Sequence, residues 1–144
     1  VTVIAFDGQV LAGDRKSVFG GTPMRTRKVF RVVAPNGRIA LVGYSGSGPF
    51  VAAHLAWLRG GERPTFTHPD FKWSVLMIDD ARNVWWRGDT ADYWERQSCR
   101  RFAIGSGSDY ALGAMAHGAD AVAAVRIASK LDIQCGMGVD VVRF

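Results

Sequence analysis

Over the first 45 residues, apolar positions come in short β-type runs. TVIAF (residues 2–6) and QVLAGDR (9–15) are strand-like runs parted by Asp7-Gly8. Such a pair favours a hairpin because glycine takes the left-handed backbone that a tight turn requires. KSVFGGTPMRT (16–26) reads as a connection containing glycine and proline. KVFRVV (28–33) and RIALVGYS (38–45) predict two further strands, with APNG (34–37) as their turn. GPFVAAHLAWLR (48–59) predicts a helix. Pro49 suits its first turn, where a backbone N–H has no partner to lose, and Gly60-Gly61 ends it. A loop with Pro64 and Pro69 leads to the strand KWSVLMI (72–78), DDARN turns the chain into VWWR (84–87), and RFAIGS (101–106) is a further strand. DYALGAMAH (109–117) predicts a short helix broken at Gly118. DAVAAVRIASKL (120–131) predicts another, with Val122, Val125 and Ala128 at helical spacing, and GVDVVRF (138–144) closes the chain as a strand. Strands come in runs and helices follow them, which predicts an α+β layering of antiparallel sheets rather than a βαβ wind. No repeat or linker divides residues 1–144, so a single domain is expected.

Composition agrees with a folded chain: 48% of the 144 residues are hydrophobic and 22% charged. No apolar run approaches the ~18 residues needed to span a bilayer. No basic stretch followed by an apolar one opens the chain. No membrane association and a cytoplasmic location are therefore expected. Cys99 and Cys135 lie far apart without C-x-x-C spacing and are expected as free thiols. His54, His68 and His117 lack metal-ligand spacing, so no metal is expected. The net charge is +5, with basic residues gathered in RTRKVFR and CRR. Neither run carries an aromatic stacking pattern, so both read as solvated loops and strand ends and no nucleic-acid partner is expected.

Three charges break their local pattern. Lys28 shares a strand face with Phe30 and Val32. A lysine there is either paired inside the protein or carries its charge out to solvent along its stem. Asp14 shares a face with Val10 and Ala12 and is either a turn residue or the partner of Lys28. Asp132 ends a predicted helix, where the dipole disfavours a carboxylate by ~0.3–1 kcal/mol, so it needs compensation or full solvation. Two glycine-containing segments, LVGYSGSG and AIGSGSDYA, each leave a strand and enter a helix. Neither matches a phosphate-binding loop, and no cofactor is expected.

Taken in order, TVIAFDGQVLAGDR, the lysine of RTRKVFRV, LVGYSGSG, AIGSGSDYALGA and ASKLDIQCGMGVDV resemble the proteasome β-type subunits, above all the HslV-like branch and its short bacterial or phage relatives. The resemblance spans nearly the whole chain and is thinnest over residues 60–100. It implies an N-terminal-nucleophile hydrolase, a four-layer αββα sandwich of two antiparallel sheets between helices. It implies Thr2 as the nucleophile, which becomes the N-terminal residue on loss of residue 1, with its own α-amine as base. Asp14 and Lys28 match the family's aspartate and catalytic lysine, and Gly43 matches the glycine whose N–H lines the oxyanion hole. Ser106 and Asp132 match the residues that hold the threonine amine. Cys135 stands where the family usually has serine, and a thiol is the weaker hydrogen-bonding group. Val1 is the main departure, because an acylated amine is no base. Val1 is expected to be the conventional reading of a non-AUG start codon, whose methionine is removed. The resemblance further implies polypeptide substrates, stacked homo-oligomeric rings and an ATP-dependent unfoldase. The alternatives are a free-standing amidohydrolase acting on a small molecule and a catalytically silent ring subunit.

Overall fold

Among the described residues, three apolar cores separate four layers. The computed structural model describes residues 1–65, 72–89 and 93–144; Pro69 of the expected loop and His68 lie outside the described residues. The described strands are β1 (Ile4–Phe6), β2 (Val10–Asp14), β3 (Lys16–Phe19), β4 (Thr22–Arg25), β5 (Val29–Val33), β6 (Ile39–Gly46), β7 (Trp73–Ile78), β8 (Val84–Gly88), β9 (Glu95–Gln97), β10 (Phe102–Ile104) and β11 (Val139–Arg143). The helices are α1 (Gly48–Leu58), α2 (Ser108–Ala116) and α3 (Ala121–Leu131).

One sheet has the order β10-β1-β2-β11, the other β5-β6-β7-β8-β9, and both are antiparallel. β1 explains the layering in miniature. Its side chains alternate, so Val3 and Ala5 turn towards α2 and α3 while Ile4 and Phe6 turn towards the second sheet. The helix-side core is built largely of small residues, Ala12, Ala111, Ala124 and Ala128 among them, which lets both helices lie close on the sheet. The central core joins Ile4, Phe6 and Leu11 to Val29, Leu41, Leu76 and Ile78. The third core packs Leu55 of α1 against Val32, Val42, Tyr44 and Val75. The result is the αββα sandwich that the resemblance implies.

Two elements differ from expectation. Residues 16–26 form a hairpin, β3 paired with β4, instead of a plain connection. Its turn residues Gly20 and Gly21 both have positive φ (55° and 82°), the backbone of a tight two-residue turn. No burial alternates along it: Val18, Phe19 and Met24 are all exposed, so its sequence carries no period-two signal. β9 was also unanticipated. It is a three-residue polar edge strand beside β8, with nothing apolar to mark it.

The third core contains a titratable group. His54 of α1 is fully buried, its Nδ1 2.7 Å from the Tyr44 hydroxyl and its ring close to those of Phe50 and Trp57. Burial, seconded by the charge of Arg87, lowers its pKa to about 4. The folded state therefore binds the proton less readily than the unfolded chain does. Stability is complete above the ordinary histidine value and falls as the pH drops from there towards 4. The expected loss is about 3 kcal/mol. Urea titrations at neutral and acid pH check this, and His54→Phe should flatten the acid limb.

Candidate active site

Asp14 closes β2 opposite the start of β1, where Asp14 N–H donates to the Val3 carbonyl at 3.0 Å. Its side chain is fully buried and accepts four hydrogen bonds: Lys28 Nζ at 2.9 Å, Val3 N–H at 3.0 Å, Gly136 N–H at 3.0 Å and Lys16 N–H at 3.2 Å. A carboxylate without water persists only when so satisfied. Lys28 lies one residue ahead of β5 and is only 6% exposed. Its Nζ donates to Asp14 Oδ1, to the Val1 carbonyl at 2.9 Å and to the Lys16 carbonyl. Of the two sequence readings, Lys28 follows the inward, paired one. Burial pulls its pKa below the ordinary lysine value, and the Asp14 charge pulls it back up.

Thr2 is 4% exposed, and its hydroxyl donates to the Val1 carbonyl. That oxygen is thus shared between the Thr2 hydroxyl and the Lys28 ammonium. Thr2 N–H donates to Ser106 Oγ at 3.3 Å, and Gly107 N–H donates to the Thr2 carbonyl at 3.1 Å. The segment after β10 can wrap Thr2 this closely because of Gly105. With φ of 94°, a Cβ on it would stand 2.2 Å from the Thr2 carbonyl oxygen.

Behind Ser106 lie Cys135 and Asp132. Cys135 is buried, with Sγ 3.7 Å from Ser106 Oγ and 3.3 Å from Asp132 Oδ2. Burial raises the thiol pKa to about 11, so at neutral pH the sulfur carries its proton and donates to Asp132. Asp132 is the C-terminal cap of α3. Its disfavoured position is offset by Gln134 N–H at 2.9 Å, and this bond first, then Ser106 and Cys135, holds its carboxyl below the usual value.

Gly43 stands apart from these six residues. It lies within β6, opposite Val29 of β5 and Leu76 of β7. Tyr44 N–H donates to the Lys28 carbonyl. Successive N–H groups point to opposite sides of a strand, so the Gly43 N–H is directed towards β7 and belongs to that ladder. Its contribution is steric. A Cβ there would lie 2.5 Å from Ile4 Cγ2, so the bare glycine lets β1 cross β6 closely, two residues after Thr2.

Sequence reasoning missed the loop that supports Asp14 from behind. Gly136, Met137 and Gly138 all have positive φ (140°, 63° and 108°), a path that delivers Gly136 N–H to Asp14. Arg15 N–H donates to the Gly136 carbonyl, and the Arg15 guanidinium, folded beside Gly138, donates to Asp140 Oδ1 at 2.6 Å and 2.9 Å. The two glycines of CGMG were the available signal.

No family model matches the chain, and no curated protein matches its sequence. Its architecture, however, recurs in solved structures. Thiobacillus denitrificans BPH in complex with epoxomicin is 21% identical with a TM-score of 0.73, over 100% of this chain and 98% of that one. Eukaryotic HslV from Trypanosoma brucei is 19% identical with a TM-score of 0.64, over 98% and 97%. Anbu of Pseudomonas aeruginosa, solved as a helical assembly, is 11% identical with a TM-score of 0.69, over 100% and 81%. The chain has the HslV- and Anbu-like fold from end to end.

Proposed function

We propose that this chain is a threonine-type endopeptidase subunit of a self-compartmentalising, proteasome-like assembly. The observation that carries this reading is the buried Asp14–Lys28 pair, whose ammonium meets the Thr2 hydroxyl at one carbonyl oxygen. A threonine hydroxyl is a poor nucleophile until a base takes its proton and a nearby cation stabilises the alkoxide. Lys28 supplies the cation. Once residue 1 is lost, the Thr2 α-amine supplies the base, since its ordinary pKa of about 8 lies near working pH. The Thr2 nitrogen already faces Ser106, so a freed amine would be oriented by Ser106, with Asp132 and the Cys135 thiol behind it. Thr2 Oγ1 then bonds to the peptide carbonyl carbon while its proton passes to the amine. The C–N bond breaks as that proton moves to the leaving amine, and water hydrolyses the remaining ester.

Likeness to a BPH that binds epoxomicin, and to an Anbu that forms a helical assembly, supports a peptidase that works as an oligomer. The exposed Val18, Phe19 and Met24 of the β3–β4 hairpin are suited to burial between subunits. Polypeptide substrates and an ATP-dependent unfoldase that feeds them complete the reading.

Intact-mass spectrometry of purified protein, before and after epoxomicin, tests it. The expected result is a chain that begins at Thr2 and gains one inhibitor mass on that residue. A chain that begins at Thr2 and takes up no inhibitor, or carries it elsewhere, overturns the assigned nucleophile.

A further inference from the structure

A second cluster of charge lies at the end of β1 opposite Thr2. The β1–β2 turn, the β7–β8 turn and the segment leaving β9 border an open groove of about 670 Å³. Arg82, Arg96 and Arg100 line it, and its described lining holds no aspartate or glutamate. Each arginine lies against an uncharged group. Arg96 Nη2 donates to Asn83 Oδ1 at 2.7 Å. The Arg82 guanidinium lies over the Phe144 ring, 5.2 Å from its centroid. Arg100 crosses Gly8, where a Cβ would stand 2.8 Å from its Nε. None of the three forms an ion pair among the described residues.

Asp7, Asp79 and Asp80 at the adjoining turns hold partners of their own, as does Asp120, which with Asp7 lines a neighbouring pocket beside Arg100 and accepts from Ala123 N–H. Asp7 accepts from the N–H groups of Gln9, Val10 and Ala121, Asp79 from Asn83 and Trp85, and Asp80 from Arg38. Arg82 also takes a left-handed backbone, φ 64°, at a turn position that glycine or asparagine fills more easily. The side chain is therefore present despite its backbone.

We infer that this groove binds a compact polyanion built of linked phosphate groups, such as a triphosphate chain. Guanidinium forks match phosphate oxygens two at a time, and three of them in one groove match a ligand with several phosphates. The volume is that of a small-molecule site. The groove shares no residue with the Thr2 site, so the inference is independent of the peptidase reading.

The protein carries its own reporter. Cys99 is exposed in the groove lining, whereas Cys135, the other cysteine, is buried. The rate of Cys99 alkylation by iodoacetamide, read by peptide mass and normalised to each variant's unliganded rate, measures occupancy. Saturating tripolyphosphate is expected to slow alkylation about tenfold, well beyond sodium chloride of equal ionic strength. Arg96→Gln and Arg100→Gln should each weaken binding about tenfold, the effect of losing a charge-assisted hydrogen bond. Arg31→Gln, at an exposed position on β5, should leave it unchanged. Protection by ATP as well assigns the phosphates to a nucleotide, and protection by tripolyphosphate alone assigns them to an inorganic chain. The inference fails if tripolyphosphate gives no protection up to about 5 mM. It also fails if matched sodium chloride protects equally, if the variant combining Arg96→Gln with Arg100→Gln is protected like the parent, or if only an acidic peptide or a DNA oligomer protects.

Discussion

Replacing Thr2 with alanine is expected to lower peptide cleavage by about 10³-fold or more, down to background, because it removes the atom that forms the acyl bond. The fold should persist. The hydroxyl's hydrogen bond is to the neighbouring Val1 carbonyl, and the contacts that place residue 2 run through its backbone to Ser106 and Gly107. The expected change in stability is within about 1–2 kcal/mol. Fluorogenic peptide hydrolysis and a thermal melt on the same preparation separate the two effects. Thr2→Ser, which keeps the oxygen but loses the methyl that limits χ1, should retain part of the activity. Cleavage at the parental rate by Thr2→Ala would refute the proposed chemistry.

Lys28→Met should abolish activity and also weaken the fold. It keeps most of the side-chain volume but leaves Asp14 buried without its counter-charge. Breaking a buried pair from one side costs about 3–5 kcal/mol. The lower end is expected here, because Val3, Lys16 and Gly136 still donate to the carboxylate. Adding Asp14→Asn removes the stranded charge, so the double variant should recover stability in urea titration while remaining inactive. Recovery of activity along with stability would make Lys28 a structural residue only.

The pH dependence supplies a second signature. Burial sets the Lys28 pKa below the unfolded value of 10.5. Between the two values the unfolded chain binds more protons, so the Lys28 contribution to stability rises with pH across that window. Activity should fall over the same window as the ammonium is lost. Opposite slopes of activity and stability on the alkaline side distinguish this group from general alkaline unfolding.

The residues most readable from sequence were those that contradict their surroundings. Lys28 on an apolar strand face, Asp14 ending another and Asp132 at the wrong end of a helix each left a paired reading open beside a solvated or turn one, and the structure supplies a partner for each. The α+β order of strand runs and helices was readable too, α3 by its helical spacing, while the four layers came from the resemblance. The β3–β4 hairpin and β9 were not, since exposed or polar strands carry no alternation to detect. Gly43 shows a different limit. A glycine's position in sequence does not tell which way its N–H points, and strand register turns this one towards β7. The support from Gly136 and Arg15 had only the glycines of CGMG as a signal, because it consists of backbone direction and of contacts between distant segments.

The carboxylate of Asp14 has a consequence for the order in which the protein is made. Its donors come from Val3, Lys16, Lys28 and Gly136, and the Thr2 amide rests on Ser106, 104 positions away. Contacts so distant in sequence form slowly. Thr2 is made ahead of the residues that surround it, Ser106 following it by 104 positions. On the proposed reading, a partly synthesised chain holds the nucleophile without the groups that would activate it.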